Sequence, residues 1–210
     1  ALTEEHQVFI SMPDDTKKNE LEAEGCQIIQ TAINRRGINP LEDLKLYRTY
    51  SNMMKELKPD LVVTYTIKPN IYGGFAARCH KVPYIETITG LGGAFDRNGL
   101  FRKLIVTMYR MGLKKAECIF FQNQENRGIF ERLGITAKKT RMVMGSGVNL
   151  ERHKEEPYPQ ADEIHFLFVG RVMKERGILE FLEAARKLHT DKIHFDILGY
   201  CDEDYQQMLD

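Results

Sequence analysis

Short apolar runs alternate with stretches of helical period along the whole chain, and that alternation leaves few folds open. Runs of strand length stand at Val8–Met12, Cys26–Gln30, Leu61–Thr66, Val82–Thr89, Cys118–Phe121, Thr140–Met144, Ile164–Val169 and Ile193–Leu198. Between them the spacing predicts helices over Asp15–Glu24, Ile71–His80, Gly99–Ala116, Gln124–Leu133 and Ile178–Leu188, with Lys68-Pro69-Asn70 as a turn. One more helix opens at Asn39, which can cap, with Pro40 suited to the first helical position and Glu42 placed as in a capping box. Leu41, Leu44, Tyr47, Met54 and Leu57 form its apolar stripe, and Pro59 stops it. Strand and helix in strict turn predict an α/β protein whose sheet is parallel and covered by helices on both faces.

The alternation breaks once. Glu151 to Asp162 carries Pro157, Pro159 and mixed charge without an apolar period, the composition of a linker. Residues 1–150 are therefore expected to form one Rossmann-like domain, 151–162 a connection, and 163–210 the beginning of a second Rossmann-like domain. Ala1–Gln7 has the pattern of a helix tail and Asp202–Asp210 that of a helix opening, so the chain is expected to be a piece of a longer protein.

Charge excludes several classes. Lys plus Arg and Asp plus Glu are both 30 among 210 residues, so no global field draws the chain to nucleic acid, and any electrostatic function depends on local clustering. No apolar run approaches the ~18 residues that span a bilayer. Cys26, Cys79, Cys118 and Cys201 are scattered without ligand spacing, which favours a reducing, cytoplasmic setting over a disulfide framework. His6, His80, His153, His165, His189 and His194 show none of the spacings of an all-protein metal site, so no metal is expected.

Three local clusters could carry chemistry. Ile164–Val169 ends at Gly170 and passes through Arg171, Lys174 and Arg176 into the helix that starts after Gly177. Cations at a strand-to-helix junction, where a helix N-terminus already favours negative charge, suit a phosphate; a solvated surface turn is the alternative. Gly90-Leu91-Gly92-Gly93 follows a strand, which suits close backbone approach by a ligand or a plain tight turn. It lacks the dinucleotide fingerprint spacing, and no Walker sequence is present. The segment Asp96–Ala116 carries six Lys and Arg against one Asp. Wound as a helix, it gathers Lys103, Arg110 and Lys114 on one face and is expected to turn Leu104, Met108 and Met111 the other way. Such a helix can lie on an anionic membrane surface, or be a core helix with a solvated basic face. Glu86, the acid on the strand before the glycine loop, is expected to be an edge or paired carboxylate.

Together these motifs carry a resemblance. Val169-Gly170-Arg171 through Arg176-Gly177 resembles the G-R-(L/V)-x-x-x-K-G signature of retaining family-4 glycosyltransferases with the two-domain GT-B fold. Gly145-Ser146-Gly147-Val148-Asn149 is similar to the stretch that leaves their first domain. Thr66–Gly73 and Ile88–Phe95 are similar to the bacterial branch that builds capsule, O-antigen (lipopolysaccharide) or lipid-linked glycans. The resemblance implies transfer of a hexosyl or N-acetylhexosaminyl group from a nucleotide-diphosphate sugar, UDP-linked by expectation, to a lipid-linked or polysaccharide acceptor, with retention and without cofactor or metal. It implies that Gly170, Arg171 and Arg176 hold the donor diphosphate, that Gly90, Gly92 and Gly93 line the cleft, and that Lys103, Arg110 and Lys114 face the acceptor at the inner face of the membrane. Arg176 stands where the family has Lys, Thr89 where many members have His, Asn149 where Asp is usual and His153 where Phe is usual. The family's first strand with its glycine turn and its downstream donor-sugar Glu-x7-Glu are both expected to lie outside these 210 residues, so the chain is expected to show the diphosphate grip without the completed catalyst. A nucleotide-sugar 2-epimerase of the same architecture and a non-catalytic scaffold of a polysaccharide assembly complex are the alternatives.

Overall fold

The computed structural model describes residues 2–34, 39–91, 95, 99–158 and 161–201. The chain divides into two compact units, Ala1–Val148 and Asn149–Asp210. The first contains β1 (Phe9–Met12), α1 (Lys18–Ala23), β2 (Gln27–Gln30), α2 (Pro40–Leu57) and β3 (Val62–Tyr65). A π-helical turn, Pro69–Gly73, then leads directly into α3 (Gly74–Cys79), followed by β4 (Tyr84–Ile88), α4 (Leu100–Leu113), β5 (Cys118–Phe121), α5 (Gln124–Arg132) and β6 (Thr140–Met142).

All strand pairs are parallel, as the alternation requires. The single sheet expected of residues 1–150 is instead two ladders among the described residues, β1-β2 and β3-β4-β5-β6. Alternation shows that strands are parallel but not which neighbour each one takes. β1 is tied to α2 through side chains, its Ser11 hydroxyl meeting Tyr50.

α2 starts as its cap predicts: Asn39 Oδ1 accepts from Leu41 N at 3.1 Å, and the helix stops at Lys58, in the left-handed region, before Pro59. Its buried stripe is Leu46, Tyr50 and Met54, with Tyr47 packed beside it, while Leu41 and Leu44 of the expected stripe are exposed. The positions i, i+4 and i+8 meet the neighbouring helix, and the leucines of the first turns lie outside that contact. Lys68-Pro69-Asn70, expected as a turn, is helical, and its π turn sets the start of α3.

The core of this unit lies between the four-stranded ladder and its helices. Phe95, Tyr109, Phe121 and Phe130 form an aromatic cluster with ring centroids 5.3–6.0 Å apart. The helices approach closely because glycines face each other. A Cβ on Gly112 of α4 would lie 2.9 Å from the Ile71 carbonyl oxygen, and the Tyr84 hydroxyl donates to the Gly112 carbonyl at 2.7 Å.

The second unit contains a βαβ unit of β7 (Ile164–Val169), a 3-10 turn at Lys174–Arg176, α6 (Ile178–Leu188) and β8 (Ile193–Leu198). Phe166 and Phe195 stack at 5.1 Å on one face of the ladder, with Phe181 of α6 against Phe168 and Phe195. The opposite face leaves Leu167, Val169 and Leu198 exposed.

Candidate functional site

In parallel α/β sheets the strands deliver their loops to one edge, and ligands bind beyond the carboxyl ends. In the second unit that edge holds Gly170, Arg171 and Arg176, which with Phe168 and Val169 line a pocket of about 360 Å³. The structure therefore brings together the three residues singled out from this loop. Both guanidinium groups are exposed, and among the described residues neither has a carboxylate partner. Gly170 at φ 152° and Gly177 at φ 82° bracket the loop, and the second is the residue from which α6 departs. The first-turn N–H groups of α6 thus open next to Arg176.

One residue of this edge carried no sequence signal. Gly199 follows β8, and a Cβ there would lie 1.7 Å from the Gly170 carbonyl oxygen. The two strand ends touch backbone to backbone, so Gly199 fixes where Gly170, and hence Arg171, can stand. The register His165↔His194 to Val169↔Leu198 places it there, and a strand-by-strand pattern contains no register.

In the first unit the carboxyl edge begins at Thr66, a β-branched residue held at φ 67°, a conformation that needs support from its surroundings. Lys68 Nζ lies 2.6 Å from Asp43 Oδ1, both nearly buried, and burial together with the Asp43 carboxylate pushes the Tyr72 hydroxyl well above its ordinary pKa. Lys68 is thus a committed cation. Gly90 follows β4 with an ordinary backbone conformation and open space around its Cα. The argument from positive φ does not apply to it, though its surface is open to a ligand. Gly92 and Gly93 lie outside the described residues. Gln122 Nε2 donates to Ser146 Oγ at 3.2 Å, and Asn149 Oδ1 accepts from Glu151 N and Arg152 N, so the amide does there what an aspartate would do. Another hollow, about 590 Å³, is an open depression at the other end of the ladder around Lys58, Pro59 and Lys81. Its position at the amino ends of β3 and β4 argues against it as the ligand edge.

α4 differs from expectation in its orientation. Val106, Tyr109, Gly112 and Leu113 are buried, whereas Leu104 and Met111, expected inward, are about half exposed and Leu100 is 85 % exposed. The inward face is the one whose Gly112 permits close crossing with the π turn, so the apolar residues beside the lysines are left outside. Lys103 and Lys114 are exposed among them. Arg110 Nε donates to the Leu133 carbonyl at 2.9 Å, closing the C-terminus of α5.

Glu86 is neither at an edge nor paired. β4 lies between β3 and β5, and Glu86 shares the face of Tyr84 and Ile88 that packs under the helices. It is 0 % exposed, neither carboxylate oxygen has a hydrogen-bond partner among the described residues, and burial pushes its pKa well above the usual carboxylate range. It belongs to the core, not to the ligand edge.

Comparison with known proteins adds to this geometry. A Campylobacter jejuni N,N'-diacetylbacillosaminyl-diphospho-undecaprenol alpha-1,3-N-acetylgalactosaminyltransferase is 28% identical over 214 residues, covering 94% of this chain and 57% of the relative. An Escherichia coli UDP-Gal:alpha-D-GlcNAc-diphosphoundecaprenol alpha-1,3-galactosyltransferase is 28% identical over 167 residues, covering 72% of this chain and 42% of the relative. The chain thus spans about half the length of the curated relatives it matches. Among solved structures, Anabaena Alr3699/HepE in complex with UDP and glucose superposes with a TM-score of 0.69 at 14% identity, over 96% of this chain and 55% of that one. The fold is accordingly the GT-B-like α/β architecture that the motifs imply. Residues 1–123 match the family described as Glycosyl transferase 4-like, and with its parallel α/β units and cation-bearing strand edge the chain belongs to that family.

Proposed function

We propose that the chain is part of a glycosyltransferase that moves a hexose or N-acetylhexosamine from a nucleotide-diphosphate donor to a lipid-linked or polysaccharide acceptor, and that Arg171 and Arg176 hold the donor diphosphate. The observation that carries this reading is the pair of guanidinium groups, without a carboxylate partner among the described residues, lining one pocket at the carboxyl end of β7. In the transfer the bond from the anomeric carbon to the β-phosphate oxygen breaks, a bond to the acceptor hydroxyl forms, and that hydroxyl loses its proton. Negative charge gathers on the leaving diphosphate, so cations fixed beside it favour the transition state over the bound donor. Arginine suits this place because its planar fork grips two phosphate oxygens at once. The amino end of α6 adds backbone N–H groups of the same polarity. These groups supply the positive charge a diphosphate needs, so the reading calls for no cofactor, and retention of configuration belongs to the proposal through the motif resemblance. Both relatives named above carry diphospho-undecaprenol in their names, which supports a lipid-linked acceptor.

The acceptor's lipid also gives the outer face of α4 a role. Leu100, Leu104 and Met111 are exposed on one side of the helix with Lys103 and Lys114 along their flank. Apolar side chains entering the headgroup layer with lysines beside them is the geometry of a helix lying flat on an anionic leaflet. No helix among the described residues is long and apolar enough to cross a membrane. Peripheral contact at the cytoplasmic face is the reading this supports, and salt-sensitive binding to vesicles of anionic phospholipid tests it.

Calorimetric titration with UDP tests the diphosphate grip. Arg171→Ala and Arg176→Ala are each expected to weaken UDP about 10-fold or more, since a charge-assisted contact is worth about 1.5–3 kcal/mol. Unchanged UDP affinity in the double variant would remove the assignment.

A further inference from the structure

The opposite end of the β7–β8 ladder gathers side chains far apart in sequence. Parallel register sets His165 beside His194, and their rings stack with centroids 4.7 Å apart. Both stand on the face of the ladder away from α6, because the phenylalanines one residue along meet that helix. Glu163, just before β7, brings its Oε2 to 3.1 Å from His194 Nε2 and 3.8 Å from His165 Nε2. On the other side of His165, Asp196 Oδ2 lies 2.9 Å from Nδ1.

The hydrogen-bond pattern decides what these groups present. A carboxylate accepting from Nδ1–H of His165 fixes the tautomer and leaves a lone pair on Nε2, the nitrogen 3.8 Å from Glu163. His194 Nε2 is shielded from solvent and, although close to Glu163, makes no hydrogen bond among the described residues. Two imidazoles and one carboxylate therefore converge, with ligand atoms all within 4.8 Å of one another.

We propose that Glu163, His165 and His194 bind one divalent transition-metal ion, of which zinc fits best, with Asp196 orienting His165 from behind. Tetrahedral zinc with bonds of about 2.0–2.1 Å separates its ligand atoms by about 3.3 Å, and the two separations from Glu163 bracket that value. Two nitrogens and one oxygen suit zinc, nickel or copper, whereas magnesium and calcium take oxygen ligands. The fourth position is left to water. His165 is five residues from Gly170, about 16 Å of strand, so the ion does not touch the diphosphate edge. It ties the start of β7 to the start of β8 and acts on the fold. The histidines escape a search for sequence spacing because one comes from each strand, and register alone unites them.

The test is calorimetric titration of zinc chloride into chelator-stripped protein, with thermal melting alongside. One equivalent is expected to bind and to raise the melting temperature, while magnesium chloride does neither. His165→Ala and His194→Ala should each remove stoichiometric binding. Glu163→Gln, exposed and outside the strand, should weaken zinc at least 10-fold with an unchanged circular dichroism spectrum, which keeps the test independent of misfolding. Asp196→Asn should weaken zinc about 10-fold while leaving the three ligands in place. Absence of stoichiometric uptake, or equal uptake by the wild type and the Glu163→Gln variant, would overturn the site and leave these residues as ion pairs.

Discussion

The two faces of α4 show what burial does to side chains on the same element. Inward, the helix presents Gly112, Tyr109 and Val106 to the π turn, α3 and the sheet, at distances where one added methyl group meets backbone oxygen. Outward, it presents Leu100, Leu104 and Met111 to solvent beside Lys103 and Lys114. The inner face is fixed by shape. The outer face sets exposed apolar and cationic groups side by side.

Gly112→Ala breaks the inner face with the largest effect. Its Cβ would lie 2.9 Å from the Ile71 carbonyl and 3.1 Å from that of Asn70, both backbone, so the helices must separate. Overpacking of this kind is expected to cost about 3 kcal/mol, measured by urea denaturation, and an unaltered midpoint would mean that the crossing is not tight.

Glu86→Gln sharpens the same face through pH. Burial raises the folded pKa of Glu86 above its unfolded value. Below the unfolded value, about 4.3, both states are protonated and the group costs nothing by ionisation. As pH rises further the unfolded chain ionises while the folded chain keeps the proton, so stability falls by about 1.4 kcal/mol per pH unit until the folded pKa is passed. The glutamine variant should lack this component, gaining on the wild type as pH rises above that unfolded value. Parallel stability curves for the two proteins would show Glu86 charged or partnered.

The outer face should respond differently. Lys103→Ala with Lys114→Ala is expected to weaken binding to anionic vesicles by about 1 kcal/mol per lysine at low salt, the difference shrinking as salt is added. Stability should stay within about 0.5 kcal/mol. Undiminished vesicle binding would return those lysines to simple solvation.

Much of the fold was legible because strand and helix periods are local. Asn39, Pro40 and Glu42 announced α2, and the cations around Gly170 marked the candidate ligand edge by type and place in a strand-to-helix turn. What stayed hidden depends on orientation and register. Of the stripe Leu104, Met108 and Met111, only Met108 packs against the core, because the close approach allowed by Gly112 decides which side faces in. Glu86 sits in a strand that looks like any other until β3 and β5 enclose it. Gly199, His165 and His194 acquire meaning only when β7 and β8 align.

The π turn at Pro69–Gly73 acts as a phase shifter for all that follows it. It holds one residue more than an α turn would, and each residue of helix corresponds to about 100° of rotation. Deleting a single residue there would restore an ordinary turn and swing every side chain from Gly74 to Cys79 by that angle. The small residue that now admits the Glu86 carboxyl would leave its place, and a bulkier neighbour would arrive. The length of this one turn, more than the composition of α3, decides which of its residues meets the sheet.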